Sequence, residues 1–223
     1  MPPLLLGHRG ARNYAPENTF AAFDLTLQHG CDGFEFDVRA SADLHPIIVH
    51  DPHLDDIVIA DFAAERLFSL NRAIPQMWQV FEQYGGRAHL NVELKVVGLE
   101  ERVAELMETY APRDVMVSSF LPEVIRRMHE AAPRVPLGYV VRWPHLVRRW
   151  KKLPVTHVVV HYLIARDALI RELKAEGKQV FIWTVNDQEQ MRRFADLGVD
   201  AIISDDTLLL SETFSRRRDA APA

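Results

Sequence analysis

Cysteine is all but missing from this 223-residue sequence, where Cys31 stands alone. A single thiol forms no intrachain disulfide and no multi-cysteine zinc site, so it reads as a small apolar residue. Long hydrophobic runs are missing as well. No stretch approaches the roughly 18 apolar residues of a membrane span. The opening Leu4-Leu5-Leu6 is too short for a signal peptide and has no basic region before it. A cytoplasmic protein with no stable membrane insertion is therefore expected. Nor is there a large excess of one charge: 26 Lys and Arg stand against 31 Asp and Glu, a net of −5 at pH 7. That balance gives no long-range pull on a polyanion or on an anionic bilayer surface, so any phosphate contact must be local, and no basic, aromatic-interleaved groove is evident, which disfavours nucleic acid as a partner. Repeats and low-complexity tracts are absent too.

What is present is the composition of a globular protein, 48% hydrophobic and 26% charged. A compact chain of this length has a radius of gyration of roughly 17 Å and buries about 70% of its unfolded surface, enough for one large core. Short apolar strands alternate with amphipathic helices almost from end to end. Extended segments are expected at Leu4–Gly7, Gly33–Arg39, Pro46–His50, Leu90–Leu94, Val115–Ser118, Leu137–Val141, His157–Val160, Gln179–Thr184 and Ala201–Ile203. Asn18 and Thr19 are good caps for a helix running to about His29, and Glu100–Tyr110 and Leu169–Glu176 are further helices.

About eight strand-and-helix units of about 30 residues each match a closed TIM-type (β/α)8 barrel, because parallel strands need helical crossovers. A doubly wound open sheet is the alternative. His8 and Arg9 stand where its glycine-rich nucleotide loop would follow the first strand, which weakens it. The expectation is one barrel over residues 1–214 and a flexible tail over 215–223. A short excursion at 51–75, with a helix at Ala60–Phe68, is expected to lie over the mouth.

Polar residues occupy strand ends where a core would be served by apolar ones. The period of two in Phe34-Glu35-Phe36-Asp37-Val38 puts Glu35 and Asp37 on one face and the apolar residues on the other. The same arithmetic groups Asn91, Glu93 and Lys95. One inward carboxylate is commonly a salt-bridged structural residue. Three converging are relieved most directly by a divalent cation, and the all-oxygen set Glu35, Asp37 and Glu93 suits Mg²⁺ or Ca²⁺, with Mn²⁺ also accepted.

His8 closes the first strand, and His50 closes Ile47-Ile48-Val49. A lone histidine at a strand end is more often structural. Two beside a carboxylate-bound metal can divide the labour, one deprotonating an attacking oxygen and the other protonating a leaving alkoxide. Arg9 and Lys95 supply fixed positive charge for a phosphate.

His8-Arg9-Gly10, Pro16-Glu17-Asn18-Thr19, Glu35-Phe36-Asp37, His50-Asp51, Asn91-Val92-Glu93-Leu94-Lys95, Ser118-Ser119-Phe120, Trp183-Thr184-Val185-Asn186, Gly198-Val199-Asp200 and Ser204-Asp205 follow one another along the chain. In that order and spacing the sequence resembles the glycerophosphodiester phosphodiesterase family. The resemblance covers roughly residues 4–206.

The resemblance implies a β/α barrel that hydrolyses small glycerophosphodiesters to sn-glycerol 3-phosphate and an alcohol, in lipid and glycerol metabolism. By that resemblance Glu35, Asp37 and Glu93 hold the metal, and His8 and His50 are acid and base, with His8 the base and His50 the acid. Arg9 and Lys95 contact phosphate, and Trp183 and Asp205 belong to the substrate pocket. The chain departs from the family pattern after His50-Asp51, at Leu54-Asp55-Asp56-Ile57-Val58 and Ile74-Pro75-Gln76-Met77-Trp78. That departure touches the cap, and with it the alcohol accepted.

Two other functions compete. One is a phospholipase D-like barrel acting on lysophospholipids, for which Leu137–Trp150, with Trp143, Trp150 and three arginines, offers a candidate surface; it reads equally as the fifth strand and a basic helix. The other is a non-catalytic phosphometabolite-binding barrel, disfavoured because the acid, base, clamp and ligand residues are all present together. Head group and oligomeric state are not legible in these residues.

Overall fold

A computed structural model describes residues 2–218. The first half runs β1 (Leu4–His8), α1 (Phe20–Gln28), β2 (Gly33–Ala40), β3 (Pro46–Ile48), β4 (His53–Leu54), β5 (Ile57–Val58), α2 (Ala64–Leu70), α3 (Met77–Tyr84) and β6 (His89–Leu94). The second half runs α4 (Glu100–Tyr110), β7 (Val115–Ser119), α5 (Pro122–Ala131), β8 (Leu137–Val141), β9 (His157–His161), α6 (Asp167–Ala175), β10 (Gln179–Trp183), α7 (Gln188–Asp196), β11 (Ala201–Ser204) and α8 (Thr207–Arg218). Neighbouring strands are ordered β1-β11-β10-β9-β8-β7-β6-β2, and β1 pairs with β2 to close the ring. All these pairings are parallel, which gives the closed eight-stranded TIM-type (β/α)8 barrel.

Two apolar layers hold it. Inside the barrel, Leu6, Met116, Val140, Val159, Phe181 and Ile203 fill the bore. Outside it, the other face of each strand packs on helices. Phe34, Phe36 and Val38 of β2 are fully buried in this outer layer, where the Phe34 ring stacks on Phe23 of α1 at 4.2 Å. Burying each such ring contributes about 1.5–3 kcal/mol. The α1 helix begins where Thr19 accepts a hydrogen bond from the Ala22 amide, and it buries Ala22, Phe23 and Thr26 on one face. Thr19 alone is that cap; Asn18 is spent elsewhere.

Pro46–His50 is not a strand of the barrel. β3 folds back antiparallel on β2, with Ala40 opposite Pro46 and Val38 opposite Ile48. The Val49 amide then donates to the Asp37 carbonyl, which brings His50 back down to the level of Asp37. The excursion that follows carries the β4–β5 hairpin and α2, and a satellite core of Ile47, Ile59, Ala64 and Leu67 ties it to the sheet. Its helix starts at Ala64 rather than Ala60, because Ile59–Asp61 forms a separate 3-10 turn and the Asp43 carboxylate receives the Ala64 amide. At the far end α8 runs to Arg218, into the segment expected as a tail, and the remainder of that segment lies outside the described residues.

Candidate active site

The site lies at the C-terminal ends of β1, β2 and β6. Lateral register sets its side chains in rows: His8 stands beside Glu35, Glu35 beside Asn91, Asp37 beside Glu93, and Glu93 beside Ser118. All these side chains are buried. Carboxylate oxygens of Glu35, Asp37 and Glu93 lie within 4.8 Å of one another.

The turn after β1 is built around that cluster. Arg9 takes a left-handed conformation, φ 56°, and its amide donates to Glu35 Oε2 at 3.0 Å. Gly10 follows at φ 80°, and a Cβ there would sit 2.7 Å from Ala22 of α1, so no other residue fits this approach. Asn18 is also left-handed, φ 59°; its Nδ2 donates to Asp37 Oδ2 at 3.0 Å and its Oδ1 accepts the Asp37 amide at 3.2 Å. Left-handed conformations at non-glycine residues cost about 1–3 kcal/mol each and collect at functional sites.

Arg9 and Lys95 are engaged by carboxylates. Arg9 Nη1 donates to both oxygens of Glu17, at 2.9 and 3.0 Å, and its Nε lies 3.1 Å from Asp37. Lys95 Nζ pairs with Glu93 and lies 3.3 Å from Asp37. Burial raises the Glu35 pKa well above the usual carboxylate range, and the charges of Asp37 and Glu93 add to that. Burial also acts to raise Asp37, but Lys95, Arg9 and the Asn18 hydrogen bond outweigh it and hold Asp37 below its ordinary value. Glu93 is raised, again by burial, against the opposing charge of Lys95.

Two cations facing three buried carboxylates leave the cluster short of positive charge. Glu35 Oε1 is the carboxylate oxygen of the cluster that is buried with no hydrogen-bond partner; Arg9 Nε, Asn91 Oδ1 and Ser118 Oγ are likewise unpartnered. An oxygen-only cluster with a bare carboxylate oxygen is a fitting seat for a hard divalent cation.

Both histidines are brought to this cluster, and each is keyed by an aspartate. His8 Nδ1 lies 2.7 Å from Asp205 Oδ1, and His50 Nδ1 lies 2.7 Å from Asp51 Oδ1. Burial lowers the His50 pKa, Asp37 opposes that, and Arg9 and Lys95 reinforce it. Asp205 is itself fastened: Asn186 Nδ2 donates to its Oδ2 at 2.7 Å, and Asn186 Oδ1 receives the Asp205 amide at 2.9 Å. Trp183 walls the opposite side of the mouth. Its ring lies 6.3 Å from His8, 5.5 Å from Phe120 and 5.0 Å from His161, and its indole N–H is buried without a partner.

All nine residues singled out by sequence thus lie around one mouth. Sequence reasoning missed Glu17, Asn18, Asn186 and His161. Asn18 read as a helix cap and Asn186 as part of a motif; only the fold shows that each anchors a carboxylate of the site.

The glycerophosphoryl diester phosphodiesterase family model matches residues 8–61 and 57–209. The chain belongs to that family. Membership makes it a phosphoric diester hydrolase. A glycerophosphodiester phosphodiesterase of Caldanaerobacter subterraneus is 30% identical, over 92% of this chain and 95% of that protein. One from Bacillus altitudinis is 27% identical, over 90% and 94%. Among solved structures, an Oleispira antarctica phosphodiesterase in complex with the product sn-glycerol-3-phosphate superposes with a TM-score of 0.84, at 27% identity, covering 96% of this chain and 97% of that one. The Thermotoga maritima glycerophosphodiester phosphodiesterase gives a TM-score of 0.84 at 25% identity, with 95% and 98% coverage. No helix among the described residues is long and apolar enough to cross a membrane.

Proposed function

We propose that this family member hydrolyses small glycerophosphodiesters to sn-glycerol 3-phosphate and an alcohol, with Glu35, Asp37 and Glu93 holding one Mg²⁺, Ca²⁺ or Mn²⁺ ion. The observation that carries the reading is the bare, buried Glu35 Oε1 in a three-carboxylate cluster flanked by two histidines that are each keyed by an aspartate. When bound, the cation supplies charge that polarises a phosphoryl oxygen and neutralises the carboxylates.

The protein groups do the rest. An ionised carboxylate only accepts hydrogen bonds, so Asp205 and Asp51 keep the Nδ1 proton on His8 and His50 and leave each Nε2 free to exchange a proton. His8 Nε2 takes the proton of the attacking oxygen, and His50 Nε2 delivers one to the departing alcohol oxygen. Arg9, whose Nη1 serves Glu17 and whose Nε faces Asp37 without a hydrogen bond, and Lys95 supply two cations for the substrate phosphate. Trp183 forms the wall for the glycerol moiety. We assign the protein to the cytoplasm, a reading supported by the lone, buried Cys31.

The test is release of glycerol 3-phosphate from glycerophosphocholine and glycerophosphoethanolamine by chelator-stripped protein resupplied with each cation in turn. Release that returns with one of the three is expected. Silence with all three, in protein shown to be folded, overturns the reading.

A further inference from the structure

The fifth and sixth barrel strands, β8 and β9, lead into a stretch of surface unlike the rest of the chain. Between Glu130 and Asp167 the sequence contains no Asp or Glu, yet it holds seven Lys and Arg, in a protein whose net charge is −5. Both strands end at the mouth. From β8 the chain leaves through Arg142 and Trp143 into a 3-10 helix, Pro144–Lys152, that carries Arg149, Lys151 and Lys152 in its last turn. From β9 it leaves through a shorter turn, Tyr162–Ile164.

At these exits two large apolar side chains face solvent, Trp143 at 56% exposure and Leu163 at 70%. Arg142 lies over the Trp143 ring, 5.6 Å from its centroid. Beside them a groove between the 3-10 helix and α6 is lined by Pro144, Val147, Leu163, Ile164 and Leu169, with Arg148 and Arg166 among them. Arg148 and Lys151 are partly spent on Glu172, at 3.9 and 2.9 Å. Arg142, Lys152 and Arg166 form no ion pair among the described residues, while Arg149 is hydrogen-bonded to the buried Tyr139.

An exposed tryptophan and leucine set among unpaired cations call for a partner that offers hydrocarbon and negative charge side by side. A nucleic acid supplies the charge but gains nothing from Leu163, and only one exposed tryptophan is present for stacking. An anionic bilayer surface supplies both, and the amphipathic indole ring suits the headgroup level. We propose that this patch docks the protein reversibly on anionic lipid, with Trp143 and Leu163 entering the headgroup layer and Arg142, Lys152 and Arg166 facing lipid phosphates. Because the strands are parallel, the patch begins at the same end as the carboxylate cluster, so docking holds the mouth beside the bilayer. The readout is adsorption rather than turnover, so this inference stands or falls independently of the phosphodiesterase reading.

The experiment is co-sedimentation of the full chain with vesicles of equal parts phosphatidylglycerol and phosphatidylcholine, or of phosphatidylcholine alone, at low and raised salt. Wild type is expected to pellet with the anionic vesicles only, and less so as salt rises. Two variants, Trp143→Ser/Leu163→Ser and Arg142→Glu/Arg166→Glu, are each expected to bind at least about tenfold more weakly. Both change exposed side chains, and an unchanged melting temperature shows that they fold. Wild type left in the supernatant at low salt overturns the proposal, as does equal binding by wild type and both variants. A dimer that wild type forms without lipid and the variants do not form reassigns the patch to a second copy of the chain.

Discussion

The two ends of the barrel bury titratable groups in different ways. At the mouth, three carboxylates face Arg9 and Lys95, the charges do not balance, and a Glu35 oxygen is left bare. At the opposite end, where strands begin, His89 and His157 flank Phe181, their rings 5.8 and 5.1 Å from its ring. His89 Nδ1 is held by Asp114 at 2.9 Å and His157 Nδ1 by Thr156 at 2.7 Å. The floor groups pair with near neighbours in sequence or on the adjacent strand, and burial pushes the His157 pKa down to about 4, with His89 assisting. A histidine neutral at pH 7 costs the floor little. Unbalanced charge at the mouth costs stability, and such a cost is kept where it serves chemistry.

The difference is broken most sharply at Glu35. Replacing it by glutamine removes a ligand and a like charge together. Metal-dependent turnover of Glu35→Gln should fall to background, while without metal the variant should melt higher by about 2–4 °C, equivalent to about 1 kcal/mol. The metal-induced rise in melting temperature should also vanish. A lower melting temperature in the metal-free variant would mean that Glu35 is a structural ion-pair residue after all. Asp37 offers no such clean case, because Arg9, Lys95 and Asn18 all depend on it.

The histidines come next in size. His50→Ala is expected to lower turnover by about 10²- to 10⁴-fold, the usual worth of an acid or base. Near-full activity would remove it from the mechanism. Asp205→Asn tests a role that the resemblance alone described differently. If Asp205 orients His8, kcat falls about 10- to 100-fold with KM steady. If it is a pocket residue that contacts substrate, the loss appears in KM.

Much of this was legible beforehand, for physical reasons. Strand alternation in Phe34-Glu35-Phe36-Asp37-Val38 reports two faces directly, and Phe34, Phe36 and Val38 indeed pack in the outer layer while Glu35 and Asp37 join the cluster. Parallel strands separated by helices allow few topologies, so the barrel followed from the rhythm. The antiparallel return of β3 did not, because an apolar Pro46-Ile47-Ile48 reads the same in either direction. Without that return, the level at which His50 meets Asp37 is invisible. Partnerships between residues distant in sequence were hidden as well: Asn186 to Asp205, Asp205 to His8, Asn18 to Asp37. A hydrogen bond leaves no local signature in composition or period, so such residues surface only as parts of motifs.

The floor supplies the smallest expected effect on turnover and the clearest one on acid stability. In the folded protein His157 titrates at about 4, lowered first by burial and next by His89, with Asp200 and Asp114 opposing. In the unfolded chain it titrates near 6.5. Above pH 6.5 both states leave it neutral, and it contributes no pH dependence. As pH falls from about 6.5 to about 4, the unfolded chain takes up a proton that the folded chain refuses, so stability declines across this window and levels off below it. The shift sets an upper limit of about 3 kcal/mol on that decline. His157→Leu keeps an apolar body against Phe181 and removes the proton site. Denaturant melts at steps from pH 7 to pH 4 should show a shallower loss in this variant than in wild type, with glycerophosphodiester turnover at pH 7 within about twofold of wild type, since substitutions remote from the chemistry spare it. An equal acid loss in both proteins would remove His157 as its source. A large loss of turnover would break the division between a floor that serves the fold and a mouth that serves the reaction.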